Sequence, residues 1–243
     1  MIAKFALTLL LTGYQYGGTF IGAVICSDGI VIAADSRTTF MDGAGQPFAY
    51  IDSMPKIYFD KGAAIAISGV SSVEGELFSS FVNRNRDLLL RPVNEVLFGF
   101  LLWMPFTNSS NIAMISAGFV DGKPMICSKA PIYPQNCVSS GYFSSKSSTL
   151  LRDMLTQYGR IPTTNEAAAA LTAAITEYSG KDLTVGGPIN ILKLTNAAPP
   201  QYSGTPPTDS SVTKICDLVR ARRASIRPIG SPANLEHLKA ACP

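Results

Sequence analysis

The chain has little of what metal and nucleic-acid sites are made from. It has one histidine in 243 residues, and its five cysteines, at 26, 127, 137, 216 and 242, include no C-x-x-C pair. Tetrahedral zinc sites need clustered Cys and His ligands, so neither a structural metal nor a cofactor is expected. An odd number of scattered cysteines reads by default as free buried thiols in a reducing compartment. A Cys216–Cys242 bridge is the alternative in an exported chain. Charged residues make up only 15% of the sequence and the net charge is +3. The basic residues that do cluster, Arg220, Arg222, Arg223 and Arg227, have no interleaved aromatics, so they read as a solvated helix face rather than a nucleic-acid surface. Apolar runs are short. "FALTLLL" after Lys4 cannot span a bilayer, and the apolar stretch from Pro92 to Trp103 is bracketed by Glu95 and Pro105. No membrane span is therefore expected.

Hydrophobic residues make up 47% of the chain, enough for one large globular core. Residues 19–39 read as two short apolar strands joined by an Asp28-Gly29 turn. Lys56 to Asp60 and Ala63 to Ser68 form a second pair around Asp60-Lys61-Gly62. Asn111 to Phe119 and Lys123 to Ser128 form a third around Asp121-Gly122. Ser71-x-x-Glu74 is a capping-box pattern ahead of a helix reaching about Leu90, and Pro92 opens a second helix. Residues 144–158 have helical apolar spacing. Thr163-x-x-Glu166 caps an alanine-rich helix that stops at Gly180. Pro188 to Thr195 is a last strand. The alternation of strands with helix pairs predicts an α+β fold. After Thr195, "NAAPPQYSGTPPTDSS" reads as a linker, followed by short helices at 212–224 and 232–241. Three regions result: an N-terminal extension at 1–18, a domain at 19–195 and a linker with a helical tail at 196–243.

Gly18-Thr19 heads the first strand. A chain cut between them would carry a hydroxyl nucleophile and a free amine on one residue, the N-terminal-threonine form of nucleophile plus base. Together with "DGIVIAADSRTT" (Asp28 to Thr39), Lys56-Ile57, "AIAISGVSS" (Ala64 to Ser72), "CVSSG" (Cys137 to Gly141) and "DLTVGGPINIL" (Asp182 to Leu192), it resembles the β-type subunits of the proteasome family. Those are threonine peptidases of the N-terminal-nucleophile (Ntn) hydrolase class. The resemblance covers roughly residues 18 to 195.

It implies a four-layer αββα sandwich, two antiparallel sheets between helix pairs. It also implies that residues 1–18 are a propeptide removed autocatalytically after Gly18. The charge-then-apolar order of Lys4 and "FALTLLL" leaves a signal peptide or a retained strand open. Thr19 is then the nucleophile. Lys56 is the ammonium that lowers the pKa of its hydroxyl and amine, and Asp35 pairs with Lys56. Gly69 gives an oxyanion N–H, Ser140 lies near the amine, and Asp182 supports that serine. Thr38, Thr39, Met54, Ile67 and Ser71 line the substrate pocket, with no acid or base among them. An apolar pocket favours apolar or small side chains.

Three departures stand out. Val185 replaces a serine near the amine, with Thr184 adjacent. Phe20 follows the nucleophile. The segment from Arg37 to Lys56 is long and carries Pro55, and it could narrow the cleft. The expected activity is cleavage of polypeptides inside a self-compartmentalised, ring-shaped homo-oligomer in the cytoplasm, with an ATP-dependent unfoldase as possible partner. The alternatives are a non-catalytic proteasome-like subunit and an Ntn amidase or transpeptidase. A chain exported by residues 1–18 is the alternative location.

Overall fold

The structure is a computed structural model, and it describes residues 18–42, 44–61, 63–69, 72–73, 76–101, 112–130, 133–204 and 212–242. The expected propeptide, apart from Gly18, lies outside the described residues, as do Ser71 and Glu74.

Strands β1 (Ile21–Cys26) and β2 (Gly29–Ala34) form the hairpin that the Asp-Gly turn predicts, pairing from Ile21–Ala34 to Cys26–Gly29. Two further strands that sequence reading did not single out follow: β3 (Thr38–Met41) and β4 (Pro47–Ile51), paired with each other. Then come β5 (Ile57–Phe59), β6 (Ala63–Ser68), and the two-residue strands β7 (Ser72–Val73) and β8 (Glu76–Leu77). Helix α1 (Phe78–Arg84), a 3-10 turn at Arg86–Leu90 and helix α2 (Val93–Leu101) come next. The α1 helix begins at Phe78, later than the capping-box pattern suggests, because Glu76 and Leu77 are held in a strand pair. The chain continues with β9 (Ala113–Val120), β10 (Lys123–Ala130), β11 (Tyr133–Val138) and β12 (Tyr142–Ser144). Helices α3 (Thr149–Gln157) and α4 (Thr164–Ser179) precede β13 (Asn190–Leu194) and β14 (Gln201–Ser203). The α3 helix starts at Thr149, not Ser144, because Tyr142 to Ser144 pair with β1 and Ser148 takes the cap.

Two five-stranded antiparallel sheets result, ordered β12-β1-β2-β13-β14 and β11-β10-β9-β6-β5. Side chains alternate along each strand, and the clusters follow that period. Ile21, Ala23 and Ile25 of β1 and Ile30, Ile32 and Ala34 of β2 share one buried cluster with Ala64 and Ala66 of β6 and Ile115 and Ala117 of β9. The opposite faces pack on helices. Phe20, Val24, Val31 and Ala33 meet Ala167, Ala170, Leu171 and Ala174 of α4. Ile65, Ile67 and Met114 meet Val93, Val96, Leu97 and Phe100 of α2. The Thr163–Glu166 capping box forms at the α4 N-terminus as the sequence predicts. Asp28, in the first hairpin turn, also accepts from the backbone N–H and hydroxyl of Thr164, placing a carboxylate where the helix dipole favours one. Gly22 lets α4 approach β1: a Cβ there would come within 2.6 Å of Leu171.

The stretch read as a linker contains β14, which extends the first sheet beside β13. The tail is not detached. Helices α5 (Ile215–Ala221) and α6 (Ala233–Ala241), with strand β15 (Arg227–Pro228) between them, bury Ile215, Leu218, Val219, Leu235 and Leu238 against Phe40, Phe48 and Ile51 of the β3–β4 hairpin. The cysteines depart from the free-thiol expectation. Cys127 and Cys137 face each other across β10 and β11 and form a disulfide; Cys216 and Cys242 form a second, and Cys26 remains a buried free thiol.

Candidate active site

Thr19 precedes β1 and Asp35 follows β2, so the hairpin pairing sets them at one end of the same strand pair. The Phe20 N–H donates to Asp35 Oδ1 at 2.8 Å, and the Asp35 N–H donates back to the Phe20 carbonyl at 3.1 Å. The other carboxylate oxygen accepts from the N–H groups of Arg37 and Gly186, each at 3.0 Å. Asp35 therefore clamps three segments: the nucleophile strand, the start of β3 and the loop before β13.

Arg37 holds that loop from outside. Its guanidinium forks onto Asp52 at 2.8 and 3.2 Å, donates to the Leu183 carbonyl at 3.0 Å and stacks over Tyr50. Gly186 and Gly187 make the approach possible, since a Cβ at Gly186 would sit 2.7 Å from the guanidinium carbon and one at Gly187 2.6 Å from Ser36 Oγ.

Lys56 is 3% exposed. Its Nζ donates to Thr38 Oγ1 at 3.0 Å. The direct ion pair expected with Asp35 is not formed among the described residues; the two couple through space. Burial pulls the Lys56 pKa down to about 8, opposed by the Asp35 charge. Burial pushes the Asp35 carboxyl up to about 7, against the Lys56 charge and the three backbone N–H groups. Each group loses hydration that the other only partly replaces.

Thr19 itself is 1% exposed, and its Oγ1 has no hydrogen-bond partner among the described residues. Its carbonyl accepts from Ser68 Oγ at 2.6 Å and Ser145 Oγ at 3.2 Å, and Ser145 Oγ also accepts from the Ile21 N–H at 3.0 Å. An unpaired buried hydroxyl costs roughly 1–3 kcal/mol, and a nucleophile must keep such a group free. Gly69 follows Ser68 with φ +99°, a conformation that favours glycine. Gly18 has φ +78° and lies hard against Thr184, whose hydroxyl a Cβ on Gly18 would meet.

Thr184 donates both its hydroxyl and its N–H to Asp182 Oδ1. Burial opposes ionisation of Asp182, yet the Thr184 donors and the Lys146 ammonium at 3.3 Å together hold its carboxyl below the usual range. Val185 turns instead into the core beneath Phe20. Thr184 therefore stands against the Gly18–Thr19 junction, where Val185 was noted as a departure.

Ser140 is not brought here. It is exposed, and its neighbour Gly141 accepts from the Ile25 N–H, at the far end of β1 from Thr19. Ser145 stands beside the threonine in its place. Sequence reading assigned that serine to a helix; the only signal was the serine run in "FSSKSST", without a register to place it. Of the expected pocket residues, Thr38, Met54 and Ile67 line a narrow cavity of about 20 Å³ that also touches Lys56. Thr39 is buried on β3 but does not line it, and Ser71 lies outside the described residues.

Neither a family model nor a curated protein matches the chain. Solved structures do. Anbu from Hyphomicrobium sp. strain MC1 aligns over 87% of this chain and 100% of its own, with a TM-score of 0.59 and 16% identity. A Gly-1 mutant of the same protein aligns over 88% and 100%, with a TM-score of 0.56 and 15% identity. At that identity the likeness shows the fold alone, an α+β fold shared with Anbu. It also corrects the resemblance to proteasome β-type subunits, since no family model places the chain among them and these structural matches are Anbu.

Proposed function

We propose that the chain is an Ntn hydrolase of peptide bonds, built as an αββα sandwich, in which Thr19 becomes the nucleophile once residues 1–18 are removed. The observation that carries this is the state of Thr19: a buried hydroxyl without a partner among the described residues, whose own carbonyl is held by Ser68 and Ser145, at a glycine junction pressed against Thr184. Orientation of this kind is worth much of a barrier.

In self-cleavage, Thr19 Oγ attacks the Gly18 carbonyl. The C–N bond breaks as the C–O bond forms, and the proton passes from Oγ to the departing nitrogen. Water then hydrolyses the ester, leaving a Gly18 carboxylate and a free Thr19 amine. That amine has an ordinary pKa of about 7.7–8.0 and serves as base in later turnovers. Lys56 supplies positive charge that favours the alkoxide and the neutral amine, and Gly69 offers an oxyanion N–H. Asp35, clamped by backbone, positions the hairpin and Lys56 electrostatically. Assembly into a homo-oligomer belongs to the same reading. Two disulfides fit an oxidising compartment better than the cytoplasm, so we carry forward the exported alternative.

Intact mass tests this. Wild-type protein should yield a chain beginning at Thr19, and Thr19→Ala should keep residues 1–18. If assembled wild-type protein keeps them too, there is no catalytic amine and the reading fails.

A further inference from the structure

The narrow cavity beside Lys56 is walled from two sides. Thr38 and Ile67 come from strands β3 and β6, Met54 and Lys56 from the segment between β4 and β5, and Leu77, Phe78 and Leu218 from β8, α1 and α5. Lys56, which lines the cavity, couples electrostatically to Asp35, and Asp35 accepts from the N–H of Phe20, the residue after Thr19, so the cavity reaches the neighbourhood of the nucleophile. Leu218 comes from α5 in the C-terminal arm, outside the region 19–195 where the sequence placed the chemistry.

The arm is fixed in this position by several independent ties. Lys214 bridges to Glu76, and the Leu77 N–H donates to the Thr213 carbonyl at 2.9 Å. β15 pairs with β4, and the Ile229 N–H donates to the Phe48 carbonyl at 2.8 Å. The Cys216–Cys242 disulfide joins α5 to the end of α6. Leu218 is 1% exposed, so its side chain is fully committed to this packing.

We propose that the C-terminal arm is a wall of the substrate pocket beside Thr19, and that Leu218 sets the size of the side chain admitted there, restricting it to small aliphatic groups such as alanine. The proposal rests on the reading of Thr19 as the nucleophile. A space of about 20 Å³ holds little more than one water, and its other walls come from β3, β5, β6, β8, α1 and the segment between β4 and β5. Shortening Leu218 is the change that enlarges the pocket from the arm alone.

The test uses the purified wild-type protein and its Leu218→Ala variant. Two measurements run side by side: kcat/KM on fluorogenic peptides with Ala, Val or Leu before the cut, and calorimetric binding of acetylated tripeptides ending in the same residues. A methylene in an apolar pocket changes discrimination by roughly 10–200-fold. The Leu-over-Ala ratio should therefore rise at least ~10-fold in Leu218→Ala. If Leu218→Ala does not fold, Leu218→Val should move the ratio the same way by a smaller factor. Turnover with an unchanged ratio overturns the pocket proposal and leaves the nucleophile reading standing. A shifted binding ratio without turnover upholds the pocket and overturns the nucleophile reading. Binding of none of the peptides, with no turnover, overturns both.

Discussion

Lys56 is a buried ammonium whose direct partner is a hydroxyl, so its protonation is set by burial and by a distant carboxylate. This has a consequence for stability. The folded-state pKa, about 8, lies below the ordinary 10.5. Between those values the unfolded chain binds more protons than the folded one, so stability rises with pH across that window. Below about pH 8 the folded protein bears the full penalty of the buried charge. Denaturant unfolding should therefore show wild type gaining on Lys56→Met between pH 8 and 10.5; a flat difference across that range would mean that Lys56 is solvated. Ser145 and Ser140 make a second comparison at this scale. Ser145 holds the Thr19 carbonyl and Ser140 is exposed at the other end of β1. Ser145→Ala should slow self-cleavage by roughly tenfold or more, for the loss of an orienting hydrogen bond worth ~1–2 kcal/mol, and Ser140→Ala should leave it unchanged. Time courses by gel would reveal the reverse order at once.

The C-terminal arm behaves as an element in its own right. Its apolar residues bury themselves against β3 and β4, and the Cys216–Cys242 bridge closes a loop with a sequence separation of 26. A disulfide of that span contributes about 2–4 kcal/mol, mainly by limiting the unfolded chain. Cys216→Ser with Cys242→Ser should lower Tm by roughly 5–10 °C in calorimetry. An unchanged Tm would mean that the two cysteines are not bridged in the protein. The long segment between Arg37 and Lys56 now has a reason. It forms the β3–β4 hairpin, and the hairpin is the platform on which the arm sits. The α2 helix also carries exposed apolar surface: Phe98 is 59% exposed, and Leu90 just before it is 62% exposed.

For the whole molecule, those residues bear on assembly. A helix that buries Val96, Leu97 and Phe100 inward while presenting Phe98 outward has apolar surface on more than one side. Large exposed apolar groups near one another mark contact surfaces. Light scattering at micromolar concentration should show a homo-oligomer, and Phe98→Glu should shift it towards monomer. A monodisperse wild-type monomer would count against assembly.

Much of this was legible in residue order because it depends on local chemistry. The Asp28-Gly29 turn and the apolar runs beside it specify the first hairpin, and the Thr163–Glu166 box specifies where α4 begins. Gly18-Thr19, Asp35 and Lys56 could be singled out as candidates because each residue type carries its own reactivity. What tertiary structure alone decided are pairings between segments far apart in the chain. Ser145 reaches Thr19 across a sequence separation of 126 through the β1–β12 register. Cys127 meets Cys137 because two strands align, and Leu218 and Ile67 line one cavity because the arm folds back on β3 and β4. Turns and caps are written in neighbouring residues, whereas strand register and docked arms are fixed only when the whole core closes, which no short stretch of sequence contains.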